Sequence, residues 1–249
     1  MQELLDTVVS LSTQKRKALA ALLKKQGVNL YGVTPIFPRD PEAPVLLSYA
    51  QQRLWILSQL GEVGTAYNLS SVLRFKGHLD TGALQRSFEA LIARHETLRT
   101  TFRLEGEQAV QVVHPHSPFK LMFEQLEQTD DASVRSHVEH EAHLPFDLQT
   151  GPLLRVKLLG LAQDEHVLVL TLHHIVSDGW SMPVMINELV QLYHGYSQGQ
   201  KVDLPVLPVQ YADYATWQRN WMEAGEQARQ LAYWTAQLGD EQPVLALPA

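Results

Sequence analysis

LHHIVSDGWS, Leu172–Ser181, places two adjacent histidines, an aspartate four positions after the second, and a glycine directly after that aspartate. The residues running in from His166, HVLVLTL, are apolar and rich in β-branched side chains over the length of one buried strand. After the glycine, WSMPVMINELVQLY repeats Met182, Ile186, Leu189 and Tyr193 at helical spacing, with Ser181 able to cap and Pro183 tolerated in a first turn. The stretch therefore encodes strand, tight turn and helix. Neighbouring side chains on a strand point to opposite faces, so His173 and His174 cannot both face one cavity unless the strand breaks between them. One is expected to be structural and the other available as a neutral imidazole that accepts a proton. Asp178 is expected to hold the turn, in which Gly179 permits a positive φ. An isolated His/Asp pair is more often two packing histidines and a capping aspartate, and that reading stands beside the proton-transfer one.

At 249 residues, 45% hydrophobic and 19% charged, the chain is long and apolar enough for a large core in one or two domains. The absence of cysteine excludes a disulfide framework, a thiolate nucleophile and a zinc–thiolate site, and it fits a reducing compartment. A net charge of -7 argues against broad nucleic-acid binding. No apolar run reaches membrane-spanning length, and the first residues lack the basic-then-apolar order of a signal peptide. A soluble, cytoplasmic protein is expected.

Residues 1–40 read as an entry segment: a helix behind Ser12 with Leu19, Leu22 and Leu23 in a stripe, a stop at Gly27, and a Pro-rich linker, VTPIFPRDPEAP. Ser48 then opens a helix, YAQQRLWILSQL, with Gln51 placed as in a capping box. Leu54, Ile56, Leu57 and Leu60 are expected on its core face, and Arg53 among them needs a partner. YNLSSVLRFKG, 67–77, alternates as a strand does, and Asp80 caps a helix carrying Leu84, Phe88, Leu91 and Ile92. LRTTFRLEGEQAVQVV reads as a hairpin about Glu105-Gly106, FKLMFEQL as a strand, and the stretch from Asp130 as a polar helix. That helix carries His137, His140 and His143; interleaved glutamates favour a solvated face over a metal site. PLLRVKLLGL and EHVLVLTLHH form a second hairpin, followed by an aromatic-rich helix with Tyr211, Tyr214, Trp217 and Trp221, and a last helix, EQARQLAYWTAQL. Strands and helices alternate irregularly, so the fold class is α+β with a mixed sheet flanked by helices.

Phosphate-loop, dinucleotide, HExxH and GxSxG signatures are all missing. A base without a protein nucleophile suits acyl transfer in which both reacting groups arrive on substrates.

His173, His174, Asp178 and Gly179 match HHxxxDG, and three other blocks appear in order: SYAQQRLWIL from Ser48, RHETLRTTF from Arg94 and YADYATW from Tyr211. Together they resemble the condensation domains of nonribosomal peptide synthetases, in the superfamily typified by chloramphenicol acetyltransferase. The resemblance implies a two-lobed fold of which residues 41–225 are the N-terminal lobe, with residues 226–249 leading towards a C-terminal lobe that lies beyond this chain. It implies amide-bond formation between an upstream acyl or peptidyl thioester and the amine of a downstream aminoacyl thioester. It further implies that the chain itself binds no cofactor and that the substrates ride on phosphopantetheine arms of donor and acceptor carrier proteins. Carried over residue by residue, His174 is catalytic and His173 packs away, while Asp178 pairs with an arginine, Arg94 first and Arg99 second. The DGWS ending and the SYAQQRLW block resemble ordinary condensation domains accepting L-configured donors more than epimerization domains, and the histidines argue against a heterocyclization domain. The isolated lobe is expected to be weakly active or inactive. The competing readings are a non-catalytic carrier-docking module and an acyltransferase of another HxxxD branch.

Overall fold

The computed structural model describes residues 7–61 and 64–239. The chain divides into two compact units, residues 44–212 and residues 1–43 with 213–249.

The larger unit contains two sheets. Strands β1 (Val45–Leu46), β3 (Thr100–Glu105) and β4 (Gln108–Val113) form a three-stranded antiparallel sheet in the order β1-β4-β3, with β3 and β4 the expected hairpin. Strands β2 (Asn68–Lys76), β5 (Met122–Gln125), β6 (Leu154–Ala162) and β7 (Glu165–His173) form a second sheet, ordered β2-β7-β6-β5. Only β5 and β6 run parallel, so this sheet is mixed. Its helices are α3 (Tyr49–Gln59), α4 (Thr81–Arg94), α5 (Asp131–Ala142) and α6 (Ser181–Ser197). The α+β class with mixed sheet and flanking helices is the observed one.

The sheet is covered on both faces, which explains why β7 reads as an unbroken apolar run. Leu168, Leu170 and Leu172 pack with Leu84, Phe88 and Leu91 of α4 and Met185, Leu189 and Leu192 of α6. Val167 and Val169 point the other way, into a cluster completed by Val134 and Val138 of α5. From His166 to His173 each β7 residue is buried on one face or the other, so selection for polar alternation is lost.

Helix α3 carries the full capping box: Ser48 Oγ accepts from the Gln51 backbone, and Gln51 Oε1 accepts from Ser48 N–H. Its buried row is Gln51, Leu54 and Trp55, spaced i, i+3, i+4. Ile56 and Leu60, expected in the core, are 51% and 66% exposed, and Arg53 is exposed as well. The helix meets the core along a stripe narrower than its apolar composition suggests, so Arg53 needs no buried partner.

In the smaller unit, α1 (Thr13–Lys24) starts at Ser12, whose hydroxyl accepts from Lys15 N–H, and Gly27 adopts φ +76° beyond its end. The entry segment is more than a linker. Val8, Ala20, Leu30 and Tyr31 form a small core with Leu19, Leu23, Phe37, Trp217 and Trp221. Leu30 and Tyr31 open the one-turn helix α2 (Leu30–Val33), and the two tryptophans belong to α7 (Tyr211–Trp221), where their rings stack at 5.4 Å. Trp217 Nε1–H donates to the Tyr31 carbonyl, and both the backbone N–H and the guanidinium of Arg39 reach Asp213 Oδ1, at 2.9 and 3.1 Å. Residues 35–40, with Pro35 and Pro38 among them, carry no regular secondary structure, and the Arg39 bonds fix them to Asp213. Helix α8 (Gln227–Leu238) is the expected last helix, and PVLALPA lies outside the described residues.

Candidate active site

Strand parity sorts the two histidines. His174 N–H donates to the Tyr67 carbonyl at 2.8 Å, continuing the β2–β7 pairing one step past His173. His174 thus follows Leu172 towards the α4/α6 face, where it lines a cavity of about 450 Å³. Leu54, Leu98, Leu172, Val184 and Met185 make much of the wall, and the polar lining includes Gln51, Arg53, His95, Asp178, Gln210 and Tyr211. The Tyr67 ring stands edge-on to the His174 ring.

His173 is 8% exposed, between the rings of Tyr67 and Phe146. Its Nδ1 accepts the backbone N–H of Ile175 at 3.1 Å. Burial, with a smaller contribution from the neighbouring His174, pushes its pKa down to about 4, so it stays neutral at physiological pH. The proton then sits on Nε2, the tautomer this hydrogen bond requires.

Asp178 serves as the helix cap. Its Oδ1 accepts from Trp180 N–H at 3.1 Å, Ser181 N–H at 2.7 Å and the Ser181 hydroxyl at 2.5 Å. The Ser181 hydroxyl is the main reason its carboxyl is held below the usual range; burial opposes it, and the Ser181 and Trp180 N–H groups and the nearby His174 add to the lowering. Ser181, expected as the cap, is instead the first helical residue. A carboxylate three residues before an orphan N–H is a stronger acceptor than a hydroxyl adjacent to it, and it complements the helix dipole.

Two further expectations are corrected. Arg94 does not pair with Asp178: its Nε donates to both carboxylate oxygens of Glu188 at 3.2 Å. Arg99 does not pair with it either, and its guanidinium donates to the His114 carbonyl. Asp178 is satisfied within its own turn, whereas Glu188, half-way along α6, is largely buried and needs the cation. Gly179 is outside the left-handed region, and a Cβ built there meets nothing within 4 Å. The turn is closed by Asp178, so it demands no positive φ. His137 and His143 each place Nδ1 on a carbonyl of their own helix, Ser133 O and Glu139 O.

Two contributors are not singled out by sequence. The Gln51 amide donates to the Ile175 carbonyl at 3.3 Å and to Gln111 Oε1 at 3.2 Å, tying α3 and β4 to the residue following His174. Its position three after Ser48 announces the cap but not this second use. His95 lines the cavity, its Nε2 2.6 Å from Glu188 Oε2. Glu188 lies in a helical stretch whose clearest sequence signal is its apolar stripe.

An apolar cavity lined by the imidazole of His174, set on a strand–turn–helix unit, and by that of His95 defines a site for proton handling or amine positioning on bound substrates. The condensation-domain profile matches residues 42–249, and the chain belongs to that family. It is 45% identical over 246 residues to a linear gramicidin synthase subunit of Brevibacillus parabrevis, covering 97% of this chain and 3% of that protein. It is 45% identical over 214 residues to chondramide synthase cmdD of Chondromyces crocatus, covering 84% and 5%. Among solved structures, the X-domain from teicoplanin biosynthesis superposes with a TM-score of 0.78 at 29% identity, over 86% of this chain and 47% of that one. The starter condensation domain of rhizomide synthetase RzmA shares the fold at 18% identity, with a TM-score of 0.72 over 81% and 49%. The chain therefore spans a few per cent of these curated relatives and about half of these solved chains. No helix among the described residues is long and apolar enough to cross a membrane.

Proposed function

We propose that this chain is the N-terminal lobe of a nonribosomal peptide synthetase condensation domain, residues 41–225 forming the lobe and residues 226–249 leading to its C-terminal partner. The reaction is amide-bond formation: the amine of a downstream aminoacyl thioester attacks an upstream acyl or peptidyl thioester. Both substrates are delivered on phosphopantetheine arms by carrier proteins in the cytoplasm. The observation that carries this reading is the opposed placement of the two histidines, His174 on the cavity wall and His173 sealed behind it.

An α-amine has a reference pKa near 8, so part of it arrives as ammonium at neutral pH and must lose a proton before it attacks. After attack, the nitrogen of the tetrahedral intermediate carries one proton too many. His174 takes that proton or holds the amine in line, and the proton ends on the departing thiolate as the C–S bond breaks. The Trp180 and Ser181 N–H groups at the start of α6 are already bonded to Asp178, and the developing oxyanion is assigned to a backbone N–H near Gly179, at the same helix start.

The test is a condensation assay with loaded donor and acceptor carriers. It compares this chain, the chain joined to a C-terminal condensation lobe, and His174→Ala in the joined form. Product from the joined form that falls about a hundredfold or more in His174→Ala supports the reading. Turnover insensitive to His174→Ala removes the catalytic assignment. Carrier binding without product, even in the joined form, assigns the chain to docking alone.

A further inference from the structure

His95 and His174 line the same cavity, and they are held there by different means. His95 follows directly on the last residue of α4 and is fixed from three directions. Gln210 clamps the backbone on both sides of it: its amide donates to the Arg94 carbonyl at 3.0 Å, and its Oε1 accepts from Glu96 N–H at 3.2 Å. From α6, Glu188 accepts the ring's Nε2–H at 2.6 Å. The Arg94 guanidinium neutralises that carboxylate, so Glu188 orients the ring without leaving a surplus charge beside it.

This arrangement fixes the tautomer. With the proton of a neutral ring on Nε2, its remaining lone pair is on Nδ1. Nδ1 has no hydrogen-bond partner among the described residues, and the side chain, 22% exposed, belongs to a residue that lines the cavity, so the ring keeps an unoccupied acceptor there. A bridge between α4 and α6 alone needs only the Nε2 side of the ring. Clamping the backbone on both flanks and presenting a free acceptor to a cavity is how a ligand-binding group is pre-organised.

We propose that His95 is the second imidazole of the site and accepts a hydrogen bond from the attacking primary amine through Nδ1, setting the direction of its lone pair towards the thioester. The proposal rests on the amide-forming reading above and deepens it, with His174 handling the reacting proton and His95 holding the nucleophile. The ligand class is a primary amine bearing at least two N–H bonds, one for each imidazole.

Two substitutions separate this from a purely structural bridge. His95→Lys keeps a donor for Glu188 but has no acceptor, whereas His95→Gln keeps both a donor and an acceptor. In the joined form of the condensation assay, His95→Lys is expected to raise the acceptor KM and lower acceptor kcat/KM about a hundredfold, leaving the donor KM unchanged. His95→Gln is expected to restore acceptor kcat/KM to within about tenfold of the parent. Equal activity of the two variants, or a loss shared equally by donor and acceptor, overturns the proposal.

A direct measurement is made on the chain itself. The His95 ring resonances, assigned with His95→Gln, are followed by NMR during titration with the amide of alanine and pantetheine, and separately with its N-acetyl derivative. A shift with the free amine and none with the acetylated probe supports the proposal; identical behaviour with both ends it. If the joined form gives no product at all, the functional reading fails there while the NMR result still decides the role of His95.

Discussion

His173 Nδ1 accepts the backbone N–H of Ile175 at 3.1 Å, so the buried histidine closes the turn on which its half-buried neighbour His174 stands. That bond needs a neutral ring, and burial enforces one by lowering the pKa from 6.5 to about 4. Above pH 6.5 both folded and unfolded chains carry the neutral imidazole, and the contribution to stability is complete. As pH falls towards 4 the unfolded chain takes up a proton that the folded chain refuses, and stability is lost, on the order of 2 kcal/mol allowing for partial screening. Urea unfolding from pH 7 to 4 is expected to show this slope in the parent chain. His173→Asn keeps an acceptor but does not titrate, so its profile is expected to be flatter by that amount. Parallel profiles would refute the assignment.

Gln51 joins three elements through one amide. Replacing it with Leu leaves the Ile175 carbonyl, Gln111 Oε1 and Ser48 N–H each short of one partner. With Gln51 only 2% exposed, water does not easily replace these bonds, and a loss of roughly 2–4 kcal/mol is expected. The midpoint of urea unfolding of the 249-residue chain measures it. A change below about 0.5 kcal/mol, the level of an ordinary surface substitution, would show that the amide is not a structural tie.

Which features are legible in the sequence depends on the range of the interactions. The Ser48 capping box, the Asp80 cap, the hairpin about Gly106 and the parity of the histidines are set by residues within a few positions of one another, and periodicity exposes them. The partners of Arg94 are not legible. Glu188 is 94 positions away, and only the packing of α4 on α6 selects it over the nearer Asp178. The outward faces of Ile56 and Leu60 escape for the same reason, because composition gives the apolar stripe of a helix and not the width of the surface that meets it. Gln51 is half visible: its local role as a cap is written in the sequence, and its bond to Ile175 across 124 positions is not.

Asp178 holds the start of α6 through three hydrogen bonds to one oxygen. Asp178→Ala removes all of them and is expected to cost about 1 kcal/mol, the usual worth of an N-cap. Asp178→Asn keeps the acceptor and is expected to lose less than half of that. Because the folded carboxyl lies below its ordinary range, the contribution of Asp178 is full above the unfolded value and fades as pH falls through the folded one. The difference between Asp178→Asn and the parent is therefore expected to shrink in acid. Thermal unfolding at pH 7 and pH 3 tests both points, and a difference that grows in acid contradicts them.

Gly195, two residues before the last residue of α6, is required by the chain reversal at the end of that helix. Gln200 N–H returns to the Gly195 carbonyl and Gly199 N–H to the Tyr196 carbonyl, with Gly199 at φ +69°, the pattern of a Schellman stop. That reversal brings Val202 back over the helix, where a Cβ at position 195 would clash with Val202 Cγ2. Valine is stiff at χ1 and is packed against the main core, so it cannot swing aside freely. Gly195→Ala gains up to about 1 kcal/mol in helix propensity, yet overpacking of this kind costs roughly 1–3 kcal/mol. The clash wins, and Gly195→Ala is expected to be destabilised. Val202→Ala alone also destabilises, by removing buried methyl groups. In the double variant the new methyl occupies space vacated by the valine, so its loss is expected to fall short of the two single losses added by about 0.5 kcal/mol or more, the range typical of residues in contact. A double-mutant cycle in urea measures the coupling, and strict additivity would mean that Val202 does not close over Gly195 in solution.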